Sequence, residues 1–318
     1  MRILVVSGFL GAGKTTFIKE LARRTREDFS VMENEYGQVG IDGQLLAEKE
    51  MPESGEEDAG KLNIWELTEG CICCSMKSDF ASSILTITNT IDPEYLIVEP
   101  TGVGMLSNVM SNIRLIQYER ISLLSPITIL DGNSFDRYCQ EFPDIYRDQI
   151  ASAGCVLVSK MEGADRQTLE QLEQSIRQIN PDAEIFTTHY SANPDSWWES
   201  LLSRPADPAQ KLPGKAETPD LQNLGLTEVS LPSGNQLLLF LQGVVAGVFG
   251  DICRAKGYLP VGSGEQTAWL RFDVVDHNYS ITGIEAMPDS RAVLIGKGLK
   301  KNWLREVLQK NLWVTEKK

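Results

Sequence analysis

The chain has 318 residues, enough for two domains that each bury a core of their own. Its 44 acidic against 30 basic side chains leave a formal net charge of -14, which argues against a broad phosphate-backbone footprint and so against nucleic acid as a partner. The sequence has no apolar run of about 18 residues, and its apolar start flows straight into a glycine-rich string, so the expectation is no membrane span, no signal peptide and a cytoplasmic protein.

The apolar residues from Arg2 to Ser7 predict a strand, and Gly8-Phe-Leu-Gly-Ala-Gly-Lys-Thr-Thr16 follows it directly. This G-x-x-x-x-G-K-[ST] spacing predicts a phosphate-binding loop in which Gly8, Gly11, Ala12 and Gly13 turn backbone N–H groups inward. Lys14 would reach the β and γ oxygens, while Thr15 would ligate Mg²⁺. The string therefore implies a nucleoside triphosphate site. Phe17, Ile18, Leu21 and Ala22 fall on one face of a helix predicted over Lys14 to Arg24.

A second strand is expected over Phe29 to Glu33, and the acidic stretch Glu48 to Asp58 reads as a solvated loop. Glu69-Gly-Cys-Ile-Cys-Cys74 then crowds Cys71, Cys73 and Cys74 into four positions. Three neighbouring thiolates repel one another, and a soft or borderline cation such as Zn²⁺ relieves that repulsion by binding them. With three thiols a tetrahedral site is one ligand short, which suits an open, exchangeable metal; a structural zinc knuckle and redox-active thiols are the competing readings. Cys139, Cys155 and Cys253 stand alone and read as small buried hydrophobes.

Tyr95 to Glu99 is a buried-type strand that ends in an acid and is followed by Pro100-Thr-Gly102. A carboxylate at the C-terminal edge of such a strand faces the phosphates, so Glu99 is a candidate Mg²⁺ partner, directly or through water. Gly102 would let a backbone N–H approach the γ-phosphate and register its presence. Further strands are expected at Ile127 to Asp131, Cys155 to Ser159 and Glu184 to Thr187, with a helix over Asp165 to Ile179 that buries Leu169, Leu172 and Ile176. Alternation of this kind defines an α/β domain, residues 1–203, with a mainly parallel sheet flanked by helices. Trp197 and Trp198 read as core.

Residues 204–223 carry four prolines and few large apolar side chains, the composition of a linker. Beyond it, residues 224–318 predict a smaller α+β domain: a strand at Leu226 to Leu231, a helix at Leu237 to Arg254, strands at Ala268 to Val275, Tyr279 to Ala286 and Arg291 to Ile295, and a helix at Lys300 to Gln309. The Trp303, Leu304, Val307 and Leu308 face of that last helix reads as ordinary core.

The phosphate loop, Glu33-Asn-Glu-Tyr-Gly-Gln-Val-Gly-Ile-Asp42, Cys71-Ile-Cys-Cys74 and Glu99-Pro-Thr-Gly102 together resemble the CobW family of GTPases. Arg254-Ala-Lys-Gly-Tyr-Leu259 and Val293-Leu-Ile-Gly-Lys-Gly-Leu299 resemble strings of that family's C-terminal domain. The resemblance implies a phosphate loop NTPase fold, with Lys14, Thr15 and Thr16 holding phosphates and Mg²⁺ and with Lys14, Glu99 and Gly102 as catalytic elements. It also implies a switch-like loop from Glu33 to Asp42, in which Glu33 or Glu35 is a possible extra ligand beside the three cysteines. At one place in that loop where the family carries Glu, this chain has Gln38, a poorer metal ligand. At the base, the family pattern Asn-Lys-x-Asp becomes Ser159-Lys160-Met161-Glu162, which keeps the charge one methylene farther out and loses an amide; GTP is favoured over ATP.

What the resemblance implies for function is a slow GTPase that couples Mg²⁺-GTP to the binding and transfer of Zn²⁺ or another transition metal to a client metalloprotein. Alternatives are a client-specific activator of a corrinoid protein or other metalloenzyme, and a small-molecule phosphotransferase. The phosphotransferase has no use for adjacent thiols.

Overall fold

The computed structural model of the chain describes residues 1–34, 60–67, 77–118, 120–210, 212–213, 221–262, 267–275 and 278–309. They form two units, the first holding the described residues up to Pro213 and the second those from Leu221 onward.

In the first unit β1 (Arg2–Gly8), α1 (Lys14–Thr25), β2 (Phe29–Asn34), β3 (Leu62–Leu67), α2 (Lys77–Thr90), β4 (Tyr95–Glu99), α3 (Leu106–Arg114) and β5 (Ser122–Leu123) follow in turn. They are succeeded by β6 (Ile127–Asp131), α4 (Phe135–Glu141), α5 (Pro143–Ala151), β7 (Cys155–Ser159), α6 (Arg166–Ile179), β8 (Glu184–Phe186) and α7 (Asp195–Leu201). The strands form one sheet in the order β3-β2-β4-β1-β6-β7-β8, with β5 added beside β1, and every pairing is parallel. β1, β6 and β7 are near-continuous apolar runs because helices cover both faces of a parallel sheet. All six strands expected from the sequence of this unit form, as do α1 and α6. The edge strand β3 and the two-residue β5 are additions to that reading.

Sequence periodicity places Phe17 inward, and there its ring stacks on Trp198 of α7 with centroids 5.3 Å apart. Trp198 is fully buried, as expected, and Tyr190 closes the cluster edge-on. Arg204 to Gln210 belong to this unit rather than to a free linker. Leu124 bridges Pro205, Ser125 N–H donates to the Arg204 carbonyl at 2.9 Å, and Ala206 N–H donates to that of Leu123 at 2.9 Å.

The second unit contains β9 (Gln222–Thr227), α8 (Gly234–Val245), β10 (Asp251–Val261), β11 (Ala268–Val275), β12 (Asn278–Ile284), β13 (Arg291–Lys297) and α9 (Lys301–Gln309). Its antiparallel sheet runs β12-β11-β10-β13-β9, and α8 and α9 supply Leu237, Phe240, Leu241, Leu304 and Leu308 to its core. Three expectations change here. The helix expected to reach Arg254 stops at Val245, because Gly247 and Gly250 adopt φ of 74° and 112°, and Arg254 instead lies within the longest strand. The strand expected at Leu226 to Leu231 begins at Gln222 and ends at Thr227. Trp303 leans on Phe249 at 5.3 Å yet stays 43% exposed, while its neighbours Leu304, Val307 and Leu308 are buried as expected. No helix among the described residues is long and apolar enough to cross a membrane.

Candidate functional site

Parallel strands deliver their C-terminal ends to one edge of the sheet, and the phosphate loop, Glu33, Glu99, Gly102 and Ser159 lie at that edge. Gly8, Gly11 and Gly13 take φ of 145°, 74° and 100°, which turns the chain tightly between β1 and α1. No side chain caps α1 and its first turn holds no acid, so its leading N–H groups remain available to an anion. Between those glycines Phe9 points into the protein. Its ring sits in an aromatic cage with Tyr138 at 4.4 Å, Phe142 at 5.0 Å and Tyr146 at 6.1 Å between centroids.

Lys14 is buried and donates to the Gly8 carbonyl at 3.1 Å, while its Nζ lies 3.9 Å from Glu99 Oε1. The Thr15 hydroxyl donates to Glu99, with its oxygen 3.3 and 3.4 Å from the two carboxylate oxygens. A hydroxyl beside a carboxylate is a hard oxygen pair of the type Mg²⁺ prefers, so these residues fit that ion. Gly102 lies against the loop: a Cβ built there would come within 2.5 Å of the Leu10 amide nitrogen, so only glycine permits the approach. Phosphate loop, Thr15, Glu99 and Gly102, read separately from the sequence, are thus brought together.

Glu33, buried at the end of β2, pairs in register with Glu99 of β4. Cys71, Cys73, Cys74 and Glu35 lie outside the described residues, as do Gln38 and Asp42. Among the described residues no group of three His, Cys, Asp or Glu side chains is placed to hold a metal ion.

At the other end of the site, the Ser159 hydroxyl shares its proton between the carbonyls of Ala12 at 2.8 Å and Leu130 at 3.0 Å, tying β7 to the phosphate loop. Lys160 takes a left-handed conformation (φ 61°) and donates to buried Asp131 at 2.8 Å. Asn133 closes this network by donating to the Lys160 carbonyl at 2.6 Å. Glu162 is exposed, and its Oε1 lies 3.6 Å from His189 Nε2. His189 Nδ1 lies 2.7 Å from the Ser191 hydroxyl oxygen and 3.3 Å from the Ser191 backbone nitrogen, which holds the ring with Nε2 towards Glu162. Sequence reasoning missed Asp131, Asn133 and His189 as parts of this end. Asp131 and Asn133 lie about 30 residues before Lys160 in the chain and His189 about 30 after it, so no local spacing connects them to Ser159 to Glu162.

Residues 2–187 match the model of the CobW/HypB/UreG nucleotide-binding domain, over more than half of the chain. The chain belongs to the CobW/HypB/UreG family. Residues 232–312 match the cobalamin synthesis protein CobW C-terminal domain. The zinc chaperone YeiR of Escherichia coli is 28% identical over 236 residues, covering 73% of this chain and 67% of that protein. The zinc chaperone YjiA of the same organism is 28% identical over 198 residues, covering 59% and 57%. The zinc-regulated GTPase metalloprotein activator 1 of Dictyostelium discoideum is 22% identical over 352 residues, covering 95% and 72%. Among solved structures, that of the Zn(II)-bound YjiA GTPase from E. coli is 19% identical, with 96% of each chain covered and a TM-score of 0.45. Within the CobW/HypB/UreG family the nucleotide is held by the domain that here carries the phosphate loop, Glu99 and Gly102.

Proposed function

We propose that this chain is a Mg²⁺-dependent GTPase that couples nucleotide binding and hydrolysis to the binding and handover of a transition metal, zinc foremost. The observation that carries the reading is the meeting of Lys14, Thr15 and Glu99 under the phosphate loop of a CobW/HypB/UreG nucleotide-binding domain. Lys14 would exchange its Gly8 carbonyl for the β and γ oxygens, and the α1 N-terminus would hold the remaining phosphate charge. Thr15 and Glu99 would hold Mg²⁺, which neutralises the charge that builds on the leaving phosphates. Gly102 would bring its N–H to the γ-phosphate, and Lys160 and Glu162 would frame the base.

The cargo reading draws on relatives named zinc chaperones and zinc-regulated metalloprotein activators. Cys71, Cys73 and Cys74 are the proposed ligands, with Glu33 or Glu35 completing the set. Glu33 fits such coupling, since it shares a register position with Glu99 on the neighbouring strand. A client metalloprotein would receive the ion. The match of residues 232–312 to a domain named for cobalamin synthesis favours a second reading, an activator specific to a corrinoid protein. Phosphate release from GTP and from ATP, with Zn²⁺ affinity measured alongside a GTP analogue and alongside GDP, tests the first reading. Equal Zn²⁺ affinity in both nucleotide states would sink the coupling.

A further inference from the structure

Gln149 lies on α5 with no exposure to solvent, yet it carries an amide where a methionine or leucine would fill the same space. Its Nε2 donates to two carbonyls of the turn that follows Glu99, Gly102 at 3.1 Å and Gly104 at 3.0 Å. Two acceptors at hydrogen-bond distance can only be met by the NH₂ group, which settles the orientation of the amide. The neighbouring Asp148 accepts from the Ser107 N–H at 3.0 Å, in the first turn of α3. Two consecutive residues of α5 therefore hold both ends of the segment from Gly102 to Ser107.

The amide is not optimised for stability alone. Gln149 Oε1 has no hydrogen-bond partner among the described residues, and a buried polar atom left in that condition costs free energy. What it secures is a position. Thr128 of β6 donates to the Gln149 carbonyl at 2.8 Å, which ties this point of the helix to the sheet. Phe142, just before α5, and Tyr146 within it enclose Phe9 of the phosphate loop. On the far side of the turn, Gly102 is held so close to Leu10 that a Cβ would collide with it. The phosphate loop and the turn that faces it are thus referenced to the same helix.

We propose that Gln149 is a positioning residue that sets the distance between Gly102 and the γ-phosphate, and with it the preference for GTP over GDP. This rests on the GTPase reading above. Without the two donors the carbonyls of Gly102 and Gly104 lose their buried partners, the turn relaxes, and the Gly102 N–H no longer meets the third phosphate. GDP has no γ-phosphate to miss, so its binding stays as it was.

The test is Q149M in the full chain, which keeps length and packing but lacks donors. Affinities for GDP and for a non-hydrolysable GTP analogue are measured with Mg²⁺, together with turnover. The expected result is GDP affinity within about twofold of the parent, analogue affinity lower by about tenfold, and turnover lower by at least as much. An unchanged analogue-to-GDP ratio overturns the proposal, and so does an equal fall in both affinities, which is what a purely structural role produces. If Q149M does not fold, Q149E decides. As a carboxylate it faces two carbonyls without a donor, whereas once protonated it supplies one. Its analogue-to-GDP ratio, relative to the parent, should be low near about pH 8 and recover towards about pH 5.5. A ratio that does not move between these values overturns the proposal. A parent chain that fails to hydrolyse GTP would instead remove the GTPase reading.

Discussion

The two ends of the proposed nucleotide site, the phosphate loop and the Ser159 to Glu162 segment, are built on different principles. At the phosphate end Lys14 and Glu99 are almost dry, with side chains 9% and 12% exposed, and they lie 3.9 Å apart. At the base end Glu162 and His189 are 64% and 37% exposed, and the contact between them is longer than a hydrogen bond. Charges in a dry, preorganised site act strongly, whereas solvated ones are screened. The phosphate end should therefore carry affinity and catalysis, and the base end should carry a modest and adjustable preference.

Lys14→Met should produce the largest loss, with kcat/KM for GTP down by about a thousandfold or more while the ratio of GTP to ATP use stays near the parent value. Steady-state phosphate release with both nucleotides checks it, and a collapse of the GTP to ATP ratio would break the division of labour. Next, Glu99→Gln should lower turnover by about a hundredfold and raise the Mg²⁺ concentration needed for half-maximal rate. A magnesium titration reads this directly. Glu162→Gln should weaken GTP by about tenfold and favour xanthosine triphosphate, because an amide can donate to the C2 carbonyl of xanthine where a carboxylate cannot. If this substitution proved as damaging as Lys14→Met, the contrast between the ends would be wrong.

The smallest effect concerns the support beneath the phosphate end. Burial raises the Asp148 carboxyl above its ordinary value, against the hydrogen bonds from Ser107 that pull it down. A raised folded-state value means that Asp148 is tolerated best below its unfolded pKa and costs stability as pH climbs through the folded one. Asn at this position keeps an acceptor for Ser107 N–H without the charge. Asp148→Asn should therefore raise Tm by about 2 °C at neutral pH, and the gain should vanish in acid, as followed by thermal melts across pH.

Legibility of the sequence differed between the two units for physical reasons. The strands of the parallel sheet are buried on both faces, so each announces itself as an apolar run, and the phosphate loop and Glu99 could be placed on strand ends from spacing alone. β3 escaped because Asn63 and Glu66 interrupt an edge strand whose Trp65 faces outward, 44% exposed. In the second unit the apolar stretch after Leu237 was continued as helix through Gly247 and Gly250, although two glycines three residues apart are themselves the stop signal. The base end was legible only as Ser159 to Glu162. His189 and Asp131 reach it through tertiary contacts that no spacing encodes. Gln149 belongs to the same class, since a buried glutamine in an amphipathic helix looks like a surface residue until its partners are known.

Position 9 is formally free in the phosphate-loop pattern, yet here its ring is a core residue held by three other aromatics. Removing such a ring costs about 3 to 5 kcal/mol, a large share of a domain's net stability. Opening the cradle and melting the domain are then nearly one event. The chain stores its readiness for nucleotide in its folding free energy, so an incoming triphosphate meets a finished shape and spends little of its binding energy on ordering the loop.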